Sequence, residues 1–245
     1  MTDQQPNTMH IGGSVEQALA GTVSIDSKAI LKEAWQGVAS PSRLILAPAL
    51  LLIGGTLMLV AALSAVLEMS GLKITDPMPM QFAQLLLVAM VAPALAGLQM
   101  IALHTVVGLK PPIQLLWLWY RRGPLLSLAA LMTMALTVLG SVVFIVIGLF
   151  INIAVWPVLM LVADKRQGPS QAIVTAIRVC LRYPLPFILL FLLQLLTFLL
   201  GIVTFGIALV WLVPFWLRCQ GILYRELFGV VLKMNVNKPQ ALFNA

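Results

Sequence analysis

The sequence predicts an all-α polytopic membrane protein, with six transmembrane helices in three hairpins and a short amphipathic interfacial helix before each hairpin. Three observations carry this expectation. Of the 245 residues, 61% are apolar and 9% charged, with mean hydropathy +1.02, against about 45–50% and 25% in soluble domains. Long apolar stretches lie at about 43–68, 81–108, 124–141, 146–163, 184–201 and 205–220, and about 20 apolar residues cross the ~30 Å hydrocarbon layer as a helix. Of the 15 Lys and Arg residues, all but Lys73 fall in segments on one side of that pattern. A closed barrel also satisfies its own backbone in lipid. It needs alternating strands of ~10 residues, and runs such as FILLFLLQLLTFLLGIV do not alternate.

Residues 1–24 are polar or small and read as a flexible cytoplasmic tail. They have neither the basic region nor the apolar core of a cleavable signal, so the first span is expected to direct insertion. A single six-span domain is expected over 25–234, with a second cytoplasmic tail over 235–245. Basic residues in short loops are retained in the cytoplasm, which assigns both termini to that side of the cytoplasmic (inner) membrane.

The chain repeats one unit three times: an amphipathic segment, a proline, then two spans. The closing prolines are Pro41, Pro124 and Pro184. Proline ends a helix and biases the residue before it away from helical geometry, so each is expected to mark a bend from the membrane surface into the bilayer. The second span of each unit carries a further proline: Pro93, Pro157 and Pro214.

In the first amphipathic segment Ile30, Leu31, Ala34, Trp35 and Val38 recur at helical spacing, with Lys28, Lys32 and Gln36 opposite. In the third, Ile173, Val174, Ile177, Cys180 and Leu181 form the stripe, opposed by Gln171, Thr175, Arg178 and Arg182. This is the i, i+3, i+4 pattern of an amphipathic helix, and Lys or Arg on the polar face suits the membrane interface. The middle segment carries Trp117, Trp119 and Tyr120, aromatics suited to the headgroup level. A fourth stripe, from Ile222 to Met234, follows the last span. Between Arg122 and Asp164 no charge occurs in 41 positions. A single helix of that length would extend about 60 Å, twice the core thickness, so a hairpin is expected, its turn bracketed by Gly140 and Gly148. Gly201 and Gly206 bracket the next one.

Signals for chemistry are sparse. No HExxH, CxxC, P-loop, GxSxG or dinucleotide fingerprint occurs, so no catalytic, cofactor-binding or metal-ligating residue is expected. Cys180 and Cys219 read as packing residues, and His104 as an interfacial histidine. The polar residues inside spans, Gln99, Asn152 and Gln194, are candidates for intramembrane contacts, either interhelical hydrogen bonds or the lining of a solute path. Asp164, Lys165, Arg166, Arg178, Arg182, Tyr224, Arg225 and Glu226 are candidates for contacts with a cytoplasmic partner or with lipid. The net charge of +7 lies at the borders of apolar spans, which points to membrane lipids with anionic headgroups and not to nucleic acid.

The EAW of the first amphipathic segment, YRRGP before the third span, ADKRQGPSQAI after the fourth, Pro214 and the terminal YRELFG resemble the YciC-like bacterial inner-membrane proteins. They are also similar to the membrane domain that accompanies some glycerophosphoryl diester phosphodiesterases. The resemblance covers about residues 25–230. It implies a six-helix bacterial inner-membrane protein without assigned catalytic residues, and no phosphodiesterase activity, since the catalytic barrel has no room in this chain. The expected function is a non-enzymatic scaffold or accessory factor in envelope or lipid organisation. The alternative is a channel or transporter for a hydrophobic or amphiphilic solute, which requires Gln99, Asn152 and Gln194 to converge on one cavity.

Overall fold

The structure, a computed structural model, describes residues 7–38, 42–71 and 76–234. Its helices are α1 (Val15–Ala20), α2 (Ser27–Val38), α3 (Ser42–Met69), α4 (Pro77–Val106), α5 (Leu115–Leu118), α6 (Gly123–Val143), α7 (Ile145–Ala154), α8 (Val158–Asp164), α9 (Pro169–Arg182), α10 (Pro184–Val203) and α11 (Leu209–Phe228). A 3₁₀ turn (Trp119–Arg122) joins α5 to α6. An antiparallel ribbon completes the fold, β1 (Asn7–Ile11) on β2 (Val230–Met234), with Asn7 opposite Met234 and Ile11 opposite Val230. The class is therefore all-α with one small ribbon. Among the described residues five segments are long and apolar enough to cross a membrane: Leu44–Met69, Met78–Val106, Leu115–Val143, Ile145–Asp164 and Pro184–Val203.

Two expectations are corrected at the chain ends. The last apolar helix starts at Leu209, not 205, and does not stop at 220. It runs to Phe228 and absorbs most of the fourth amphipathic stripe, because nothing before Gly229 breaks a helix. Gly229 takes φ 62, ψ 167, a conformation that favours glycine, and Val230 to Met234 become β2. The expected tail over 1–24 is, from Asn7 onward, built into the fold as β1 and α1. The Ser14 hydroxyl caps α1 by accepting from the Gln17 N–H at 3.2 Å. The preceding glycines allow the chain to cross the end of α11 at contact distance: a Cβ on Gly12 or Gly13 would strike the Arg225 or Glu226 carbonyl. The bend expected at Pro41, the basic Lys73 and the tail 235–245 lie outside the described residues.

The hairpin glycines act as expected. The α6–α7 turn is a single extended residue, Phe144. A Cβ on Gly140 would come within 2.6 Å of Ile151 Cδ1, and one on Gly148 would overlap the Ser141 side chain, so the two backbones pack directly on one another. In the α10–α11 turn the Gly206 N–H reaches back to the Gly201 carbonyl at 2.7 Å.

The three span prolines behave differently. Helix runs through Pro93 in α4 and Pro214 in α11 but stops at Pro157, which separates α7 from α8. Pro93 has no N–H to give the Ala89 carbonyl. The Ser127 hydroxyl of α6 donates to that carbonyl instead, and the Tyr120 hydroxyl donates to the neighbouring Met90 carbonyl at 3.0 Å. A freed carbonyl in lipid demands a partner, so α6 docks on α4 where the proline made one available. Hydroxyls elsewhere in the spans turn back on their own helix: Thr133 to Ala130, Thr137 to Thr133, Thr197 to Leu193.

The buried core lies at the basic end of the bundle. It gathers Ile30 and Ala34 of α2, Leu103 of α4, Leu161 of α8, Ala176 of α9 and Leu227 of α11. The opposite end is bare: no residue of α3 from 51 onward is buried, and Met69, Met78, Phe144, Ile145 and Phe205 stand exposed at the hairpin tips. Patches of that extent mark a surface that something apolar covers. Helix α2 buries Ile30, Ala34 and Val38 as expected, and its exposed Trp35 stands edge-on to Phe215, ring centroids 5.4 Å apart. In α9 the buried face is rotated from the expected stripe to Ala172, Ile173, Thr175, Ala176, Val179 and Cys180. Ala172 and Ala176, one turn apart, permit the close approach. Val174 (46% exposed) and Leu181 (64%) face outward with Arg178 and Arg182, as on a helix at headgroup level.

Replacing Ser127 with Ala leaves the Ala89 carbonyl without its donor. The midpoint of thermal unfolding in detergent is expected to fall by the equivalent of about 1 kcal/mol, with most of it regained in Ser127→Thr. An unchanged midpoint in Ser127→Ala contradicts the docking role.

Candidate functional site

Of the three polar residues singled out within spans, two come together. Asn152 of α7 and Gln194 of α10 line one cavity with Trp156, Phe187, Trp216 and Gln220. Gln99 does not. It is buried in α4, one turn before Ala102, where a Cβ on Gly221 would lie 3.4 Å from the Ala102 carbonyl and α4 packs on α11. The convergence required of the solute path is thus met by Asn152 and Gln194 and missed by Gln99.

Local sequence explains how the cavity arises. Pro157 stops the helix, so Val155–Pro157 form a turn between α7 and α8 and Trp156 swings against Phe187 of α10, ring centroids 5.8 Å apart. From α11, Trp216 and Gln220 are one turn apart and share a face. The space is ≈ 20 Å³, slightly more than the ~10–15 Å³ that a single water requires. The indole Nε1 atoms of Trp156 and Trp216 and the Oε1 of Gln220 are buried with no hydrogen-bond partner among the described residues. Asn152 and Gln194 are exposed on the outer side. Every side chain named here is uncharged.

A second cluster ties the helix ends together. Arg225 of α11 forms a two-pronged ion pair with Glu33 of α2, at 2.8 and 2.9 Å, and also holds Glu226 at 2.8 Å. Paired nitrogens on one carboxylate are among the stronger polar contacts. Tyr224 is wholly buried and its hydroxyl donates to Asp164 at 3.0 Å. Lys165 lies 3.1 Å from Asp164 and donates to the Gly229 carbonyl at 2.8 Å. Of the residues expected to meet a partner or lipid, Asp164, Lys165, Tyr224, Arg225 and Glu226 are therefore engaged within the protein, while Arg166, Arg178 and Arg182 are exposed.

Sequence reading passed over Gln220, the two tryptophans and Arg218. Gln220 and Trp216 sit beside Arg218 where the last span was expected to end, so they read as border residues. Arg218 is 8% exposed, and its guanidinium lies flat against Gly37, where any Cβ would overlap it. Its only warning in the sequence is a charge flanked by Leu217 and Cys219. Both cysteines are free and buried, and burial lifts the Cys180 thiol to about 11. Among the described residues no three His, Cys, Asp or Glu side chains gather as a metal centre would require. Comparison of the chain with protein-family models, with curated proteins and with solved structures finds no match.

Replacing Arg225 with Met removes the link from α11 to α2 and leaves two carboxylates facing each other. Thermal unfolding in detergent is expected to shift down by the equivalent of roughly 1–2 kcal/mol, with a smaller shift for Glu33→Gln. Equal stability of Arg225→Met and the parent protein contradicts a clamping role.

Proposed function

We propose that this chain is a non-enzymatic protein of the bacterial cytoplasmic membrane, a scaffold or accessory factor in envelope or lipid organisation. The observation that carries the reading is how its charges are used. At the basic end Glu33, Asp164, Lys165, Arg225 and Glu226 are joined to one another or to backbone, which holds α2, α8 and α11 in one rigid unit. Arg166, Arg178 and Arg182 remain outward, beside exposed Val174 and Leu181, in keeping with contact to anionic headgroups.

Six crossings with both ends in the cytoplasm fit this arrangement. The ribbon pairs a strand ahead of every membrane-length helix with one behind them, which supports an even number of crossings. Five apolar segments and α11, 20 residues or about 30 Å long, make six. The distribution of Lys and Arg supports the cytoplasmic assignment of the shared end, and the resemblance of the short motifs to those of YciC-like proteins is in keeping with it. A second reading, passage of an amphiphilic solute, is favoured by the meeting of Asn152 and Gln194 at one cavity. At ≈ 20 Å³ that space would have to widen greatly to act as a path.

Purification from native membrane, with identification of what comes along, tests the function. The expected result is anionic phospholipid or envelope proteins retained through size exclusion, with no turnover of lipid or glycan substrates. A robust hydrolase or transferase activity in the purified protein overturns the reading.

A further inference from the structure

We propose that the cavity between α7, α10 and α11 binds the free hydroxyl of an uncharged amphiphile, such as a diacylglycerol, that reaches it sideways from the bilayer. This rests on the helices lying in a membrane, and on nothing else in the functional reading.

The chemistry follows from which groups are left over. Trp156 and Trp216 each offer an indole N–H, and Gln220, 5% exposed, offers an amide oxygen. All three atoms are buried, line the same space and lack partners among the described residues. Buried polar groups left unpaired are costly, more so in lipid. A hydroxyl group has two acceptor lone pairs and one donor hydrogen, so one oxygen can receive both indoles and donate to Gln220. The space fits that group and little more. A phosphate or sugar is too large for ≈ 20 Å³, and no charged side chain lines the cavity to neutralise a phosphate.

Asn152 and Gln194 at the rim explain why the occupant is an amphiphile and not a trapped water alone. Gln194 is about 15 Å along α10 from Pro184, close to mid-depth in a ~30 Å core, and Asn152 faces the same cavity from α7. Both side chains are exposed there, and neither has a hydrogen bond among the described residues. An internal water would leave these two amides facing hydrocarbon. Ester carbonyls next to a bound hydroxyl would reach them, with the acyl chains lying along the exposed Leu192, Leu195 and Ile188 of α10. The break at Val155–Pro157 belongs to the same design, since irregular backbone inside a membrane is tolerated where it is enclosed by protein or lines a cavity.

The test reconstitutes the full chain in phosphatidylcholine nanodiscs with a photoactivatable diazirine diacylglycerol and maps the labelled peptides by mass spectrometry. Labelling is expected on α7, α10 and α11, competed by unlabelled dioleoylglycerol but not by its methyl ether. Gln220→Leu, and separately the exposed pair Asn152→Leu with Gln194→Leu, should each reduce it about fivefold or more, while Gln99→Leu leaves it unchanged. The rim pair lies outside the packed core, so its loss of labelling does not come from misfolding. Equal competition by the methyl ether overturns the proposal, as does labelling spread evenly over the lipid-facing helices or unaffected by these variants. Absence of labelling with copies cross-linking through Asn152→Cys also overturns it, in favour of a self-association surface. Failure of the chain to enter nanodiscs at all would instead refute membrane residence.

Discussion

β1 precedes every membrane-length helix and β2 follows them, yet the two share one hydrogen-bonded ribbon. Strands paired through their backbones cannot sit on opposite faces of a bilayer, so this closure is in keeping with the even number of crossings proposed above. It also explains the local oddities of the chain ends. Gly12, Gly13 and Gly229 are required because β1 crosses the end of α11 at backbone contact. Lys165 reaches the Gly229 carbonyl because the strand begins there. With the ribbon in place, α11 becomes the central helix of the basic end, and α2, α8 and α1 are arranged around it.

The bundle inverts the usual relation between core and surface. In water, apolar side chains supply the drive to pack; here much of the apolar surface faces outward, and beside the buried apolar core at the basic end the helices also meet through small residues, backbone and polar groups. The α6–α7 hairpin rests on Gly140 and Gly148, and α6 meets α4 through a hydroxyl that serves a proline-freed carbonyl. Such contacts succeed in lipid because the alternative, an unsatisfied group in hydrocarbon, is worse. The same rule singles out the α7–α10–α11 cavity, where donors and acceptors have been brought together and left without partners.

Much of this architecture was legible in the sequence. Hydropathy located four of the five membrane-length segments to within a few residues, while the third, expected from 124, begins at Leu115; Pro124 and Pro184 stand at the starts of α6 and α10, and the glycine pairs bracketed two turns. These are properties of neighbouring residues. What stayed hidden depends on distant ones. Whether proline breaks a helix turns on who serves the freed carbonyl; for Ala89 that is Ser127, remote in sequence. The segments NTMHI and VVLKM have no hairpin partner nearby, since each pairs with the other end of the chain. In α9 the apolar pattern fits two faces, and Ala172 and Ala176, weak contributors to any hydrophobic stripe, decided which one is buried. Asn152 and Gln194 were recognisable as polar residues in lipid, but Gln220, the buried member of their group, was masked by the neighbouring Arg218.

The most direct test places cysteines at His10 and Val231, partners across the ribbon, after Cys180 and Cys219 are replaced by Ala. The account predicts that both positions react with a membrane-impermeant maleimide in inverted vesicles, that neither reacts in right-side-out vesicles, and that mild oxidation joins them into a disulfide. Reaction of one position from each side, or of both from the outside only, would contradict it.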